Sequence, residues 1–415
     1  MKPIKIAIIV STFPSVSETF VLRQIVGLIQ RGHDVRIFAR NKDPHASIHP
    51  EYKLFHLNKQ TFYFPESPSN KTLLRGKAVW LTLKNLIRSP GQTWNIVSKL
   101  IKSRKQFSYP LLFYALTVLS WTPDVIHCHF GHNAIPWAKL KTMGLLFPLV
   151  TTLHGHDVSS YPKMHGADIY QELFQTGDCF TFNSEGTKKR ILDLGAPSEK
   201  LVKLPMGAAV TQIPFYEKTL AIGQPIRILS VGRLVDMKGQ KFAIEAVAQV
   251  MSHYPDLEYN IVGKGPLGPS LETQIQQTGF ADRIRLLGAV TDQKLHELYL
   301  TSHIFLHPSV TAEDGNTEGQ GLVLVEAQAY GLVIIATQHG AFPETVLDGQ
   351  SGFLVPEKNV SALQSCLLEV LSKSNRWPAM SQCGRMHAIR HYDIEMLNDQ
   401  LETILQQTSQ KEMYS

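Results

Sequence analysis

The chain has 415 residues, a length that favours two or three domains. Hydrophobic residues make up 43% of it and the mean hydropathy is −0.08, which is typical of a soluble globular protein and excludes a disordered or fibrous chain. Lys and Arg exceed Asp and Glu by 41 to 35, so the formal net charge is only +6. The cysteines form no C-x-x-C pair, which excludes a disulfide scaffold and a thiolate zinc site and favours a reducing cytosol; they are Cys128, Cys179, Cys366 and Cys383.

Strands and helices alternate in the first half. The apolar run at 4–10 predicts a buried parallel strand; it is too short for a signal peptide and no cleavage site follows it. Apolar residues at helical spacing predict a helix over 18–31. Further strands are predicted at 35–39, 125–130, 149–153 and 178–182, with a helix over 184–194 after the last of them.

Residues 67–123 contain no Asp or Glu, and within 71–105 basic residues alternate with apolar ones. This pattern predicts basic amphipathic helices, broken near residue 90. Such helices bind anionic membrane surfaces, but a solvated positive face on an inserted helical pair explains them equally well. The uncharged stretch 106–123 is too polar for a membrane span and predicts a buried helix. No nucleic-acid-binding motif accompanies the charge.

A segment rich in proline at 205–225 separates the two halves, and the alternation then restarts. Strands are predicted at 226–231, 257–262, 284–287, 304–307, 333–336 and 352–355, and helices at 240–251, 269–278, 292–300, 321–330 and from 360 onward. We expect an α/β protein with two Rossmann-like, doubly wound domains that face a central cleft. The expected domains are 1–205 and 206–385, with a C-terminal helix within 386–415 that packs back on the first.

Two cations, Arg233 and Lys238, follow the strand at 226–231 and precede a helix. An Arg fork and a compact Lys charge together suit a diphosphate, although each is also an ordinary surface residue. Farther on, Gly319 and Gly321 open a helix whose first N–H groups attract an anion. Glu318 lies just before that helix. It is either a ligand for sugar hydroxyl groups or a favourable charge at a helix start.

Together with Glu326, eight residues after Glu318, these residues resemble glycosyltransferase family 4, retaining enzymes with the GT-B fold. Residues 343–344, 348–349 and 352–355 continue the resemblance. Phe13-Pro14-x-x-Ser17-Glu18-Thr19-Phe20 is similar to the branch that makes bacterial exopolysaccharides of the colanic acid and amylovoran type. The resemblance implies a metal-independent hexosyltransferase without a cofactor, with a nucleotide-diphosphosugar donor, most readily a UDP-sugar, and a saccharide or lipid-linked saccharide acceptor. It also implies a cytoplasmic location, peripheral on the inner face of the membrane if 71–105 docks there.

The resemblance also implies the site residues. Arg233 and Lys238 would hold the diphosphate, Glu326 the ribose, and Glu318 the transferred sugar. Backbone groups of Gly319, Gln320, Gly321 and Leu322 would assist, and Val262, Gly263 and Val290 would approach the base. His154 would face the donor sugar, and Ser17, Glu18, His129 and Asp157 would lie on the acceptor side.

Some of these residues have purely structural alternatives. Asp157 either orients the loop at 153–157 or caps the following segment, and we favour the cap. Ser15 and Glu18 form a capping-box pattern. His127 and His129 share one face of a strand, but with Cys128 on the other face they make a poor metal site. Unlike many family members, the chain has no Gly-Gly pair after its first strand.

Gly263-Lys264-Gly265-Pro266-Leu267-Gly268 matches the dinucleotide fingerprint, yet no acidic residue ends the next strand, so we do not expect NAD. The absence of any D-x-D sequence agrees with catalysis by Arg, Lys and a helix end. The acceptor would attack from the face that the diphosphate leaves, and a departing phosphate oxygen would take its proton. A nucleotide-sugar epimerase or phosphorylase, or a non-catalytic scaffold that binds a nucleotide sugar at the membrane, are the alternatives.

Overall fold

The computed structural model describes residues 2–15, 18–43, 50–103, 106–313, 315 and 317–411. These residues divide into two compact units. The first is drawn from 1–183, 187–204 and 398–415, and the second from 184–186 and 205–397. Residues 386–397, which we expected in the C-terminal segment, lie in the second unit.

A parallel seven-stranded sheet forms the centre of the first unit, in the order β3-β2-β1-β4-β5-β6-β7. The strands between the two edges are largely buried, and apolar runs such as Ile6–Val10 supply the core. The edge strands Thr61–Tyr63 and Leu201–Lys203 are partly exposed. The strands are β1 (Lys5–Thr12), β2 (Asp34–Asn41), β3 (Thr61–Tyr63), β4 (Val125–His129), β5 (Leu149–Leu153), β6 (Cys179–Phe182) and β7 (Leu201–Lys203).

The helices of this part of the chain include the two that the basic segment predicts, α4 and α5, which separate at Ser89 before Pro90. They are α1 (Thr19–Gln30), α2 (Pro50–Leu54), α3 (Leu57–Gln60), α4 (Lys71–Arg88), α5 (Pro90–Lys102), α6 (Tyr109–Val118), α7 (Gly131–Thr142), α8 (Ser160–His165), α9 (Gln171–Thr176) and α10 (Glu185–Asp193). Helix α6 is buried, as predicted for the uncharged stretch. In the described part of the chain, no helix combines the length and the apolar composition that a membrane span requires.

The second unit has a parallel six-stranded sheet in the order β10-β9-β8-β11-β12-β13. The predicted bounds of four of its strands are confirmed, because each is a short, largely apolar run that glycine or proline follows in the sequence. Its strands are β8 (Ile226–Val231), β9 (Leu257–Val262), β10 (Ile284–Gly288), β11 (Ile304–His307), β12 (Val333–Thr337) and β13 (Gly352–Val355). Its helices are α11 (Gln240–Met251), α12 (Gly268–Thr278), α13 (Asp292–Thr301), α14 (Leu322–Ala329), α15 (Phe342–Thr345), α16 (Val360–Ser372) and α17 (Trp377–Tyr392).

The last helix, α18 (Ile394–Lys411), belongs from Asn398 onward to the first unit. Glu402 contacts the buried ring of His33, with 3.1 Å between Oε1 and Nε2. Arg31 forms an ion pair with Asp399 at 2.6 Å. Helix α18 therefore packs against the turn between α1 and β2.

The capping box predicted at Ser15 and Glu18 does not form. Helix α1 begins at Thr19, so Glu18 itself occupies the N-cap position and its side chain makes no capping hydrogen bond. The helix predicted over 18–31 is confirmed to within one residue at each end, whereas the capping-box pattern is a local signal that does not form here.

Candidate active site

In the second unit, Glu318 is the centre of a polar cluster at the carboxyl ends of β8 and β11. One carboxylate oxygen pairs with the ammonium of Lys238. The other accepts from His307 Nε2 at 2.9 Å and from Ser309 Oγ at 2.5 Å. Two residues that the sequence predicts at the site, 80 positions apart, are thus in direct contact.

The carboxylate of Glu318 is ionised. Burial alone would raise its pKa, but the charges of Lys238 and His307 and their hydrogen bonds outweigh burial and hold the pKa well below its usual value. Burial also lowers the pKa of His307, and Lys238 adds to this effect, while Glu318 acts in the opposite direction. The cluster therefore carries a fixed negative charge that a cation compensates.

A second chain of contacts holds the backbone of Glu318. Its N–H donates to His339 Nε2 at 2.9 Å, and His339 Nδ1 lies 2.5 Å from an oxygen of Glu357. The other oxygen of Glu357 accepts from the N–H of Thr311 at 2.7 Å. Since a backbone N–H can only donate, His339 carries its proton on Nδ1 and donates it to Glu357. This pair fixes the loop that presents Glu318.

Close backbone approach shapes the loop from Arg233 to Lys238. Gly239 has a φ of +63°, and a methyl group there would lie 2.1 Å from the carbonyl oxygen of Pro308. Gly263 has a φ of +147°, and a methyl group there would lie 1.8 Å from the oxygen of Gly232. Only glycine fits at these two positions. The loop is therefore pressed against the ends of β9 and β11.

Arg233 and Lys238 differ in their surroundings. The side chain of Arg233 is exposed, and no described carboxylate forms an ion pair with it. Its backbone oxygen accepts from the side chain of Gln240 at 2.9 Å, which fixes the loop rather than the guanidinium. Arg233 thus offers an exposed positive charge, whereas that of Lys238 is engaged by Glu318.

Helix α14 starts with Gly321 at the N-cap position and Leu322 as its first residue. The amide of Gln320 exchanges two hydrogen bonds with the backbone of Met206, at 2.7 and 2.6 Å, which fixes the loop before the helix. Gly319 accepts from the N–H of Ala341 at 3.2 Å. The start of the helix is thereby held in place.

Glu326 lies in the middle of α14 and is partly buried. Its charge adds to burial in raising the pKa of the Tyr299 hydroxyl. Val262, at the end of β9, belongs to the same hydrophobic cluster as Tyr299, and Val290 packs against that cluster. The residues predicted to approach ribose and base therefore border one cluster.

The polar cluster of the first unit consists of histidines. His127 and His129 lie on one face of β4, as predicted, with 4.5 Å between ring centroids. His129 Nδ1 lies 3.4 Å from His154 Nε2, and the ring of His154 packs against Phe20 and Phe130. In the described structure, His154 Nδ1 and His129 Nε2 have no hydrogen-bond partner.

These rings are neutral. Burial lowers the pKa of His127 and of His154 to about 3, and the mutual repulsion of the rings adds to this effect for His154. Burial and the two neighbouring histidines lower the pKa of His129 well below its usual value. At neutral pH the cluster can accept or donate hydrogen bonds to a neutral group but carries no charge.

Asp157 orients the loop that contains His154 and does not cap the segment after it. Its carboxylate accepts from the N–H groups of His154, Gly155 and Gly131, at 3.0, 2.9 and 2.9 Å. The favoured interpretation as a cap is wrong, because a cap would accept from N–H groups of the residues that follow Asp157. The donors here all precede Asp157 in the chain, and one of them, Gly131, begins helix α7. Burial raises the pKa of Asp157, although hydrogen bonds from these three N–H groups and from its own N–H group oppose this effect.

Of the first two residues predicted for the acceptor side, Glu18 is described but Ser17 lies outside the described residues. Burial raises the pKa of Glu18 to about 7. A carboxyl group with this pKa exchanges protons near neutral pH, which is a property of general acids and bases.

Sequence reasoning missed His307, His339 and Glu357. His307 is the last residue of β11, and His339 lies two residues beyond β12. Polar residues at the ends of neighbouring parallel strands meet at one edge, so these two histidines could have been found. Glu357 gives no such signal because only the fold brings it to His339.

Comparison with known proteins shows the family to which the chain belongs. The model of Glycosyltransferase Family 4 matches residues 17–211, and the model of Glycosyl transferases group 1 matches residues 213–387. WcaL of Salmonella typhimurium, a glycosyltransferase assigned to colanic acid biosynthesis, is 31% identical over 97% of this chain and 99% of its own. The amylovoran biosynthesis glycosyltransferase AmsK of Erwinia amylovora is 31% identical over 88% of this chain and 90% of its own.

Solved structures share the fold. HepE of Anabaena, crystallised with UDP-glucose, has a TM-score of 0.71 at 17% identity and covers 97% of this chain and 100% of its own. Sucrose-phosphate synthase of Thermosynechococcus elongatus has the same TM-score at 18% identity and covers 97% and 98%. The resemblance to the colanic acid and amylovoran branch is confirmed. The chain belongs to glycosyltransferase family 4, has the GT-B fold and is a glycosyltransferase.

Proposed function

We propose that this glycosyltransferase moves a sugar from a nucleotide-diphosphosugar, preferably UDP-linked, to a saccharide or lipid-linked saccharide during exopolysaccharide biosynthesis. The observation that carries the proposal is the contact of Lys238 with Glu318, at the end of a loop that also carries the exposed side chain of Arg233. The diphosphate of a nucleotide sugar carries two negative charges. The ammonium of Lys238, which Glu318 holds in place, can also contact that diphosphate. Glu318 can in turn accept from sugar hydroxyl groups.

In this reaction Arg233, Lys238 and the N–H groups at the start of α14 stabilise charge that develops on the leaving diphosphate. The acceptor hydroxyl attacks from the face that the diphosphate leaves, and a phosphate oxygen takes its proton, so the configuration at the anomeric carbon is retained. The positive charges of the protein do the work that a divalent metal does elsewhere. We assign Glu326 to the ribose, and His154 to a hydrogen bond with the donor sugar as a neutral ring.

The test is a donor screen with UDP-, GDP- and ADP-sugars in EDTA, read by thermal shift and by release of nucleoside diphosphate. One donor should raise the melting temperature and be hydrolysed slowly without acceptor. Lys238→Met should lower the transfer rate by about a hundredfold, since an electrostatic contact to the leaving group contributes about 3 kcal/mol. Lys241→Met, an exposed lysine on α11, is the control with the same change of charge.

Failure of every nucleotide sugar to stabilise the fold would contradict the proposal. Stabilisation by a nucleotide sugar without any release of nucleoside diphosphate, with or without an acceptor, would instead favour a scaffold. Conversion of the donor into another nucleotide sugar would instead identify an epimerase. An unchanged rate in Lys238→Met would remove the leaving-group role while leaving the donor identity intact.

We also propose that the protein lies on the inner face of the membrane through α4 and α5. One side of α4 is buried at Ala78 and Leu81, and the opposite side carries exposed apolar residues. These are Leu73, Val79, Trp80, Leu83, Leu86 and Ile87, to which α5 adds Trp94 and Ile101. An exposed apolar stripe with basic residues beside it is typical of helices in the lipid interface.

Flotation with anionic vesicles tests this docking. Binding should weaken as salt rises, because the electrostatic part is screened. Trp80→Ser combined with Ile87→Ser should release the protein from vesicles without loss of transfer to a water-soluble acceptor. Absent or salt-insensitive binding would contradict the docking proposal alone.

A further inference from the structure

Beside the exposed apolar face of α4 lies a cavity of about 420 Å³ in the first unit. Its lining includes Arg36 from β2, Phe62 from β3, Lys84 and Arg88 from α4, and Trp121, which precedes β4. Arg36 lies near the start of β2, so the cavity lies away from the carboxyl edge that carries His129. It is therefore separate from the histidine cluster.

The cavity is positively charged and has no internal compensation. None of the described residues that line it is acidic, and residues 67–123 contain no Asp or Glu at all. No described carboxylate forms an ion pair with Arg36, Lys84 or Arg88. Three cations that share one cavity repel one another, so an anion placed there is bound favourably.

The position of Arg36 is fixed by aromatic rings. Its guanidinium carbon lies 4.3 Å from the centroid of Trp121 and 5.3 Å from that of Phe62. These rings orient the planar group without neutralising it, and its N–H fork matches a phosphate. Lys84 and Arg88, one turn apart on α4, add two further donors.

We propose that this cavity binds the phosphate group of an anionic lipid headgroup. The inference rests on the proposed docking of α4 and α5, because Lys84 connects the cavity to the apolar face, with its ammonium 4.9 Å from the ring of Trp80. Trp80 is exposed, and its ring would sit among the headgroups. The cavity has the volume of a small-molecule site, enough for a phosphoester.

The experiment compares two kinds of vesicle made from a neutral glycolipid. One is made anionic with phosphatidic acid and the other with oleate, adjusted to equal zeta potential. The wild-type protein should bind phosphatidic acid vesicles about tenfold more tightly than oleate vesicles. The phosphate of phosphatidic acid can enter the cavity and accept hydrogen bonds from its cations, whereas the carboxylate of oleate remains at the vesicle surface. This ratio should fall to about one in Arg36→Gln and in Arg88→Gln.

Arg75→Gln is the matched control. Arg75 is an exposed arginine on the same helix and lies outside the cavity, so its loss removes the same charge. It should weaken binding to both vesicles by about fivefold, the effect of one basic residue near a charged surface, and leave the ratio at about ten. Because Arg88 is exposed, its variant should fold even if Arg36→Gln does not.

A wild-type ratio of about one would overturn the inference while the docking proposal stands. Loss of binding to both vesicles would overturn both proposals, and transfer to a water-soluble acceptor would show whether the enzyme is intact. Binding of free glycerol phosphate as tightly as phosphatidic acid vesicles would overturn the lipid source, because the cavity would then take a soluble phosphate.

Discussion

In the second unit Glu318 is ionised, and Lys238 compensates its charge; in the first unit His127, His129 and His154 are buried without charge. Both clusters lie at or beside strands of similar parallel sheets. The stability that an ionised cluster contributes changes little with pH but is lost when one partner is removed. The stability that a neutral cluster contributes changes little when one ring is removed but is lost when the rings are protonated.

The largest expected effect is the acid sensitivity of the first unit. The pKa of His127 and of His154 is about 3 when folded, against a usual value of 6.5. Their contribution to stability is therefore complete above pH 6.5 and is lost as the pH falls, by several kcal/mol for the cluster at pH 4.5. Hydrogen exchange should show β4 and β5 losing protection at a higher pH than β8 and β9.

The loss of protection at low pH should be smaller in His127→Asn and unchanged in His156→Asn, since His156 is exposed. Equal protection of both sheets from pH 7.5 to pH 4.5 would remove the contrast between the two clusters.

The next effect concerns Glu318→Gln. This change leaves Lys238 without its counter-charge, and we expect a loss of about 3 kcal/mol in the stability of the second unit. Trp377, the only tryptophan of residues 205–397, reports unfolding in urea. Adding Lys238→Met should recover much of the loss, and Glu297→Gln, at an exposed ion pair, should cost almost nothing. If the losses of stability from Glu318→Gln and Lys238→Met simply added in the double variant, the two side chains would not be coupled.

A smaller effect should follow from removal of His339, which holds the backbone of Glu318. His339→Ala should lower stability by about 1–2 kcal/mol, because the N–H of Glu318 and the carboxylate of Glu357 both lose a partner. It should also lower kcat more than it changes KM for the donor. Glu357→Gln keeps an acceptor oxygen and should be milder; a larger effect than in His339→Ala would argue against this chain of contacts.

The smallest expected effect is a gain in stability when Glu18 is replaced. The pKa of Glu18 is raised to about 7, so the stability that depends on its neutral form is present below pH 4.5 and is lost as the pH rises through 7. Glu18→Gln should therefore raise stability at pH 8 by about 1 kcal/mol, and by less at pH 5.5. Thermal unfolding measures the gain, with exposed Glu199→Gln as the control. A variant less stable at pH 8 would show that the charged form is needed.

Local patterns predicted much of the fold. The strands at Ile226–Val231 and Leu257–Val262 were predicted with their bounds because continuous apolar runs define buried parallel strands. Strand β3 was missed, since three residues, Thr61–Tyr63, have no recognisable period. Helix α7 was missed because Pro136 lies inside it.

For the site, the sequence predicted Lys238 and Glu318 from their neighbouring motifs, but not the hydrogen bonds of His307, His339 and Glu357. Such contacts arise where separate strands end side by side, and no local spacing encodes them. The same limit explains why the role of Asp157 was predicted wrongly, since one of its donors, Gly131, lies 26 residues earlier in the chain.

Helix α18 has a consequence for biosynthesis on the ribosome. Its contacts with Arg31 and His33 belong to the first unit, yet it is translated after the entire second unit. Domains generally fold as they emerge, beginning with the N-terminal one. Here the unit that starts to fold first is completed last, so during elongation the nascent first unit exposes the surface that α18 later covers. Chaperone binding to nascent chains should persist until Asp399 and Glu402 have left the ribosome.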